Sequence, residues 1–242
     1  MDRIAIISDI HGNIPALEAV LSDIKSRGID RIICLGDLAG KGPCSAKAVD
    51  MIREHCEVVI KGNWDYFIPK LDDEMALWHR CKLGKERLDY LEQLPIYEEF
   101  YMSGKLVRLC HASPNDLFHR VHVATPEEQR MKLFAPTSSL QEEADVVGYG
   151  DIHGAYIDYL QGKTLFNVGS VGNPLDIPQA SYAILEGEYG RRENSSLSIA
   201  NVRVPYDIEL AINQALETDM PELQEYINEL RTAIYRKCKK NS

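Results

Sequence analysis

Five short apolar runs in this chain each end at a residue type that can hold a cation. Residues 3–8 lead into Asp9 and His11, residues 31–35 into Gly36-Asp37, and residues 57–60 into Gly62-Asn63. Residues 105–110 lead into a lone His111, and residues 145–149 into Asp151 and His153. Short runs rich in Ile and Val suit buried β-strands. Polar residues at successive strand ends can meet at one edge of a sheet, so residues far apart in sequence can share one centre. The tetrapeptide Asp-Ile-His-Gly occurs twice, at residues 9–12 and 151–154, with flanks that do not match.

The segments between the first runs have helical spacing. Asn13 can cap a helix with Pro15 in its first turn, Leu17, Val20, Leu21 and Ile24 share one face, and Gly28 ends it. Residues 46–55 form the next predicted helix. A β-α-β-α-β opening implies parallel strands joined by right-handed crossovers. A helical insertion is expected over about 65–95, stopped at Leu94-Pro95. A hairpin follows around Ser103-Gly104. Residues 115–144 are polar and broken, with short helices expected after Pro126 and Thr137. Further strands are predicted at 156–160, 164–168, 182–186 and 198–204. Two amphipathic helices over about 207–238 are split near Asp219-Met220-Pro221.

At 242 residues with 45% hydrophobic content, the chain suits one α/β domain spanning 1–242 with a sizeable core. Net charge is −10 and the pI is near 5.2, which argues against broad binding to nucleic acid or anionic membrane. An acidic protein that handles phosphates needs metal ions to offset repulsion. No apolar stretch approaches the roughly 18 residues of a membrane span. Met1 is followed by Asp2-Arg3 and then a strand, so no leader is expected and a cytoplasmic location is. The six cysteines show no CxxC spacing and are not expected to form a disulfide framework.

Asp9, His11, Asp37, Asn63, His111, Asp151 and His153 offer only oxygen and nitrogen donors. Such a shell suits Mn²⁺, Fe²⁺ or Zn²⁺ and lacks the thiolates of a structural zinc site. In order along the chain, Asp9-Ile10-His11, Gly36-Asp37, Gly62-Asn63-Trp64-Asp65, His111 and Gly150-Asp151-Ile152-His153 resemble the motif series of calcineurin-like metallophosphoesterases. GDLAGKGP at 36–43, NVGSVGNP at 167–174 and ASYAIL at 180–185 resemble the bacterial single-domain phosphodiesterase and phosphatase branch.

The resemblance implies a four-layer αββα sandwich of two mixed sheets flanked by helices, with two metals between the sheets. It assigns Asp9, His11, Asp37 and His153 to one ion and Asp37, Asn63, His111 and Asp151 to the other, Mn²⁺ foremost. It also implies hydrolysis of a small phosphorylated substrate, a nucleotide phosphodiester or pyrophosphate, by attack of metal-bound hydroxide. Asp37 and Asn63 carry the catalytic roles, and Asn63, Trp64 and Ser170 contact substrate.

Two positions depart from the pattern. Trp64 stands where the family has His, and indole cannot accept a proton. Asp151 stands where the family has the first His of Gly-His-x-His; it is read as a ligand, or else as a partner that orients one. These departures motivate a second reading, a catalytically weakened nucleotide or metal sensor. A phosphoprotein phosphatase and a homo-oligomer stay open. His55 and His79 are expected to be solvated, as are His119 and His122 unless one reaches the site, and Lys41 is read as a candidate for attracting phosphate or else as a solvated loop lysine. Residues 169–172 are read as an anion cradle or as a turn at the sheet edge.

Overall fold

A computed structural model describes residues 1–235. The chain runs β1 (Asp2–Ile7), α1 (Ile14–Ser26), β2 (Arg31–Cys34), α2 (Ser45–His55), β3 (Val58–Val59), α3 (Asn63–Phe67) and α4 (Glu74–Gln93). It continues β4 (Tyr97–Met102), β5 (Lys105–Cys110), α5 (Glu127–Met131), β6 (Val146–Tyr149), β7 (Tyr156–Leu160) and β8 (Lys163–Asn167). It closes with β9 (Ala180–Gly187), β10 (Ser198–Val204), α6 (Ile208–Leu216) and α7 (Leu223–Thr232).

The strands form two five-stranded mixed sheets, β10-β9-β1-β2-β3 and β4-β5-β6-β8-β7. β1 pairs parallel with β2 and antiparallel with β9. β6 lies between β5 and β8, parallel to both. Strand alternation builds the layers, because successive side chains point to opposite faces. Ile4 and Ile6 of β1 pack with Val107, Leu109 and Phe166 of the second sheet, filling the space between sheets. Ala5 and Ile7 face the other way, onto Leu17, Val20 and Ile24 of α1 and Val49 and Ile52 of α2. The outer face of the second sheet is covered by Val121, Leu133 and Phe134 from the 115–144 segment. The four layers are therefore helix, sheet, sheet and a thin helical cover, as expected.

Local details differ from the sequence reading. The predicted helix at 46–55 begins one residue earlier, and the third strand shrinks to two residues. The insertion is two helices, α3 and α4, and α4 is broken at Gly84, whose φ of 69° lies in the left-handed region. No helix forms after Thr137. Arg108, a fully buried guanidinium, donates to Glu99, to the carbonyls of Leu133 and Ala135, and to the Glu142 carbonyl of that stretch at 3.4 Å. Thr137 donates to the same Glu99 carboxylate at 2.9 Å. The C-terminal pair is as expected to Thr232; the part of that expectation beyond residue 235 lies outside the described residues.

His79 is buried, not solvated: α4 packs on α2, and His79 Nδ1 meets Ser45 Oγ at 2.9 Å. His55 is exposed as expected. Cys34, Cys44, Cys56, Cys81 and Cys110 are all free thiols. Among the described residues no helix is long and apolar enough to cross a membrane.

Candidate metal centre

The five strand-end segments meet at one edge of the two sheets. Asp9 and His11 follow β1, Asp37 follows β2, Asn63 opens α3, His111 follows β5, and Asp151 and His153 follow β6. All seven are buried. The chain must turn sharply there to aim the side chains inward. Of the ten non-glycine residues at positive φ among the described residues, five are Asp9, His11, Asp37, Asp151 and His153. Such backbone costs on the order of 1–3 kcal/mol per residue and persists where surrounding contacts impose it. Those contacts are visible. Asp9 and Ile10 N–H donate to the carbonyls of Gly36 and Asp37. The Asp65 carboxylate accepts from the N–H groups of Asp37 at 2.7 Å, Leu38 at 3.0 Å and Gly62 at 3.0 Å. Gly62 is obligatory, because a Cβ there would collide with the Asp37 carboxylate.

Three imidazoles converge through Nε2. Each Nδ1 is held by a backbone carbonyl: His11 by Ala39 at 3.3 Å, His111 by Leu35 at 2.9 Å, and His153 by Asn173. A carbonyl only accepts, so each Nδ1 carries a proton, and in the neutral ring Nε2 presents a lone pair. His11 Nε2 lies 3.6 Å and His111 Nε2 3.5 Å from Asp37 Oδ2. His153 Nε2 lies 3.2 Å from Asp9 Oδ1.

Two donor groups satisfy metal-binding distances, Asp9 with His11 and His153, and Asp9 with Asp37 and His111. Asp9 is common to both, whereas the resemblance gives the shared role to Asp37. Asp9 Oδ1, Asn63 Oδ1 and His111 Nε2 are buried without a hydrogen-bond partner. Acceptor atoms left bare in this way, aimed at one point, fit a divalent cation, and a buried acceptor without a partner is otherwise costly.

The electrostatics agree. Burial alone would lower the His111 pKa, but the carboxylates of Asp37, Asp9 and Asp151 together more than offset it and raise it to about 10. Burial raises Asp9, yet His153, then His111 and His11, hold it well below the usual carboxylate range. Burial, with the adjacent His153, pushes His11 well down. Burial raises Asp37 against the opposing pull of His111. The carboxylates thus draw positive charge into the centre.

The remaining predicted site residues fall into three groups. Trp64 walls the site: its ring stands edge-on to His11 at 5.9 Å, its backbone N–H donates to Asp37 Oδ1 at 2.8 Å, and Gly40 leaves room for the indole. Asp151 is bonded to Arg120 and to Asn63 Nδ2. Ser170 is a correction. Its hydroxyl is fully buried, donates to the Asp9 carbonyl at 2.9 Å and accepts from Asn173 N–H, so it braces the turn and is closed to substrate. The 169–172 segment is accordingly a turn at the sheet edge. Its N–H groups at Val171 and Gly172 donate to the Ser8 and Asp9 carbonyls.

Lys41 is also a correction. It is buried between Asn173 Oδ1 at 2.8 Å and Glu229 Oε2 of α7 at 3.2 Å. Sequence reasoning missed Arg120 and Glu229, which have no strand-end position to mark them. A cavity of about 900 Å³ opens over the centre. Asp37, Asn63 and Asp151 floor it, Trp64 and Phe67 wall it, and Arg120 and His122 reach it. His119 is exposed and does not line it.

Comparison with known proteins agrees with this geometry. Residues 2–190 match the calcineurin-like phosphoesterase superfamily domain. The chain is 32% identical over 244 aligned positions to the uncharacterized protein MJ0912 of Methanocaldococcus jannaschii, covering 90% of this chain and 94% of that one. It is 30% identical over 155 residues to phosphodiesterase YfcE of Escherichia coli K12, covering 55% of this chain and 76% of YfcE. Among solved structures, a metallophosphoesterase from Sphaerobacter thermophilus superposes with a TM-score of 0.75 at 26% identity, covering 96% of this chain and 99% of that one. The chain belongs to the calcineurin-like phosphoesterase superfamily and is, by that membership, a metal-dependent phosphoesterase.

Proposed function

We infer that the chain hydrolyses a small phosphorylated compound at a dinuclear metal centre. The compound is a nucleotide-like phosphodiester or pyrophosphate. The observation that carries this reading is the convergence of three Nε2 lone pairs with the bare oxygens of Asp9 and Asn63. Asp9, His11, Asp37 and His153 would hold one ion, and Asp37, Asn63 and His111 the other, with Asp9 close to both. Mn²⁺ suits these donors best, and Fe²⁺ or Zn²⁺ also fit an oxygen–nitrogen shell. Bound divalent ions supply Lewis acidity and an activated nucleophile near neutral pH.

The chain's own residues do the rest. Asn63 Nδ2 donates to Asp151 Oδ1 at 3.0 Å, which fixes the amide with its oxygen toward the centre. Trp64 and Phe67 give the cavity an aromatic wall on which a base or aryl group can stack. The cavity's volume suits a small ligand. Free thiols throughout the described residues fit a reducing compartment such as the cytoplasm.

The test is a metal-by-substrate activity screen on purified protein, with metal content measured alongside. Turnover with Mn²⁺, lost together with bound metal in Asp37→Ala, supports the reading. Tight nucleotide or metal binding without turnover on any phosphoester would make the chain a sensor instead. Unchanged metal content in Asp37→Ala would overturn the ligand assignment.

A further inference from the structure

The resemblance expects imidazoles at positions 64 and 151, and this chain has an indole and a carboxylate. The carboxylate is engaged in a specific way. Asp151 Oδ2 accepts from Arg120 Nε at 2.9 Å, and Asp151 Oδ1 accepts from Arg120 Nη2 at 2.9 Å and from Asn63 Nδ2 at 3.0 Å. The Asp151 side chain is 2% exposed and the Arg120 side chain 49% exposed. A two-bonded Asp–Arg pair fixes the plane of the guanidinium, not merely its charge.

Arg120 lines the cavity, and its Nη1 has no hydrogen-bond partner among the described residues. The same Asp151 oxygen lies 4.0 Å from His111 Nε2, so one carboxylate oxygen separates the guanidinium from the donor cluster. Lys41, the other long cation of the cavity wall, is committed to Glu229 and Asn173. Among the described residues, Arg120 is therefore the cavity's positioned cation with donors to spare.

We propose that Arg120 binds the substrate's phosphoryl oxygens, that Asp151 serves as its anchor and not as a metal ligand, and that the pair selects a terminal phosphoryl group over an internal diester. This rests on the phosphoesterase reading given above. A terminal phosphoryl group has three non-bridging oxygens and, near neutral pH, a second negative charge; a diester has two oxygens and one charge. In an acidic protein whose donor cluster already holds the buried carboxylates of Asp9 and Asp37 beside the Arg120-paired Asp151, extra negative charge on the ligand is opposed unless a fixed cation meets it. A guanidinium fork matches phosphoryl oxygens geometrically and provides that cation. Within the nucleotide class, the terminal phosphate of a monoester or pyrophosphate is thus favoured. Asp151 also orients the Asn63 amide, so one carboxylate sets two groups that face the ligand.

The experiment compares wild type, Arg120→Met, Arg120→Lys and Asp151→Asn, each loaded with Mn²⁺. Three quantities are read: metal per chain, affinity for inorganic phosphate by calorimetry, and kcat/KM for an aryl phosphate monoester relative to a bis-aryl phosphodiester. Arg120→Met is expected to weaken phosphate binding about 10- to 100-fold, the size of a charge-assisted pair of hydrogen bonds. It should lower the monoester-to-diester ratio in step and leave metal content unchanged. Arg120→Lys should recover part of the affinity, because the charge returns without the fork. Asp151→Asn should weaken phosphate binding while keeping both ions. Wild-type phosphate affinity and substrate ratio in Arg120→Met would overturn the proposal. So would loss of an ion in Asp151→Asn alone, which would make Asp151 a ligand. A wild-type protein that turns over neither substrate counts against the phosphoesterase reading by itself, and the phosphate affinities still decide Arg120.

Discussion

The Nε2 atoms of His11 and His153 face each other at 3.2 Å, and neither ring can turn away. Each is pinned through Nδ1–H to a backbone carbonyl, Ala39 for His11 and Asn173 for His153. Two lone pairs so held repel unless a cation lies by them. Removing divalent metal should therefore destabilise the fold measurably. Ligand present at about 100 times its Kd adds about 2.7 kcal/mol to stability. For a chain of this size that is a Tm change on the order of 5–10 °C. Differential scanning calorimetry with excess Mn²⁺ and with a chelator checks this; coincident transitions would show that the imidazole cluster holds no ion.

Trp64 stands beside His11 with no side-chain group able to accept a proton. A positioned acid matters most when the leaving oxygen is basic and is worth about 10²–10⁴ in rate. Wild-type protein should therefore favour aryl phosphate or pyrophosphate-type substrates over alkyl phosphoesters. Trp64→His should raise the alkyl rate more than the aryl rate. Asp65 cannot substitute as the acid, because its oxygens are committed to three backbone N–H groups. Equal alkyl and aryl rates in the wild type would defeat the argument.

His79 should make the fold acid-sensitive. Burial, with Lys82 nearby, lowers its pKa to about 4 from the ordinary 6.5. Its folded pKa is depressed, so the unfolded chain binds the extra proton between these values. Stability is full above about 6.5 and is lost as pH falls toward 4. At about 1.4 kcal/mol per unit the loss is on the order of 3–3.5 kcal/mol. Urea unfolding of His79→Asn between pH 7 and 4 should show a shallower slope than wild type; parallel slopes would refute the assignment.

The Lys41–Glu229 pair ties α7 to the wall of the site across 3.2 Å. Removing one partner of a buried pair typically costs about 3–5 kcal/mol, because the other charge is left without compensation. Glu229→Ala should lose that order of stability. Lys41→Met combined with Glu229→Leu should recover most of it. A Glu229→Ala variant with wild-type denaturation midpoint would mean that Lys41 finds another partner.

The sequence by itself determined which donor-type side chains stand at the strand ends, and in what order. Asp9, His11, Asp37, Asn63, His111 and His153 were legible because each follows a short apolar run, and strand ends at one sheet edge must meet. The β-α-β-α-β opening followed from hydrophobic periodicity, which is local, whereas the two-sheet architecture was implied by the family resemblance of the motifs. What only the tertiary structure decided lies in contacts between distant segments. Arg120 reaches Asp151 from a polar loop with no periodicity to mark it. Lys41 and Glu229 meet only because α7 folds back on the site. Ser170 has a phosphate-binder's surroundings in sequence, yet packing turns its hydroxyl onto the Asp9 carbonyl. His79 looks like a surface histidine until α4 is laid on α2. Hydrophobic periodicity reports a side chain's face, whereas burial and the pairing of charges depend on what the rest of the chain brings against that face.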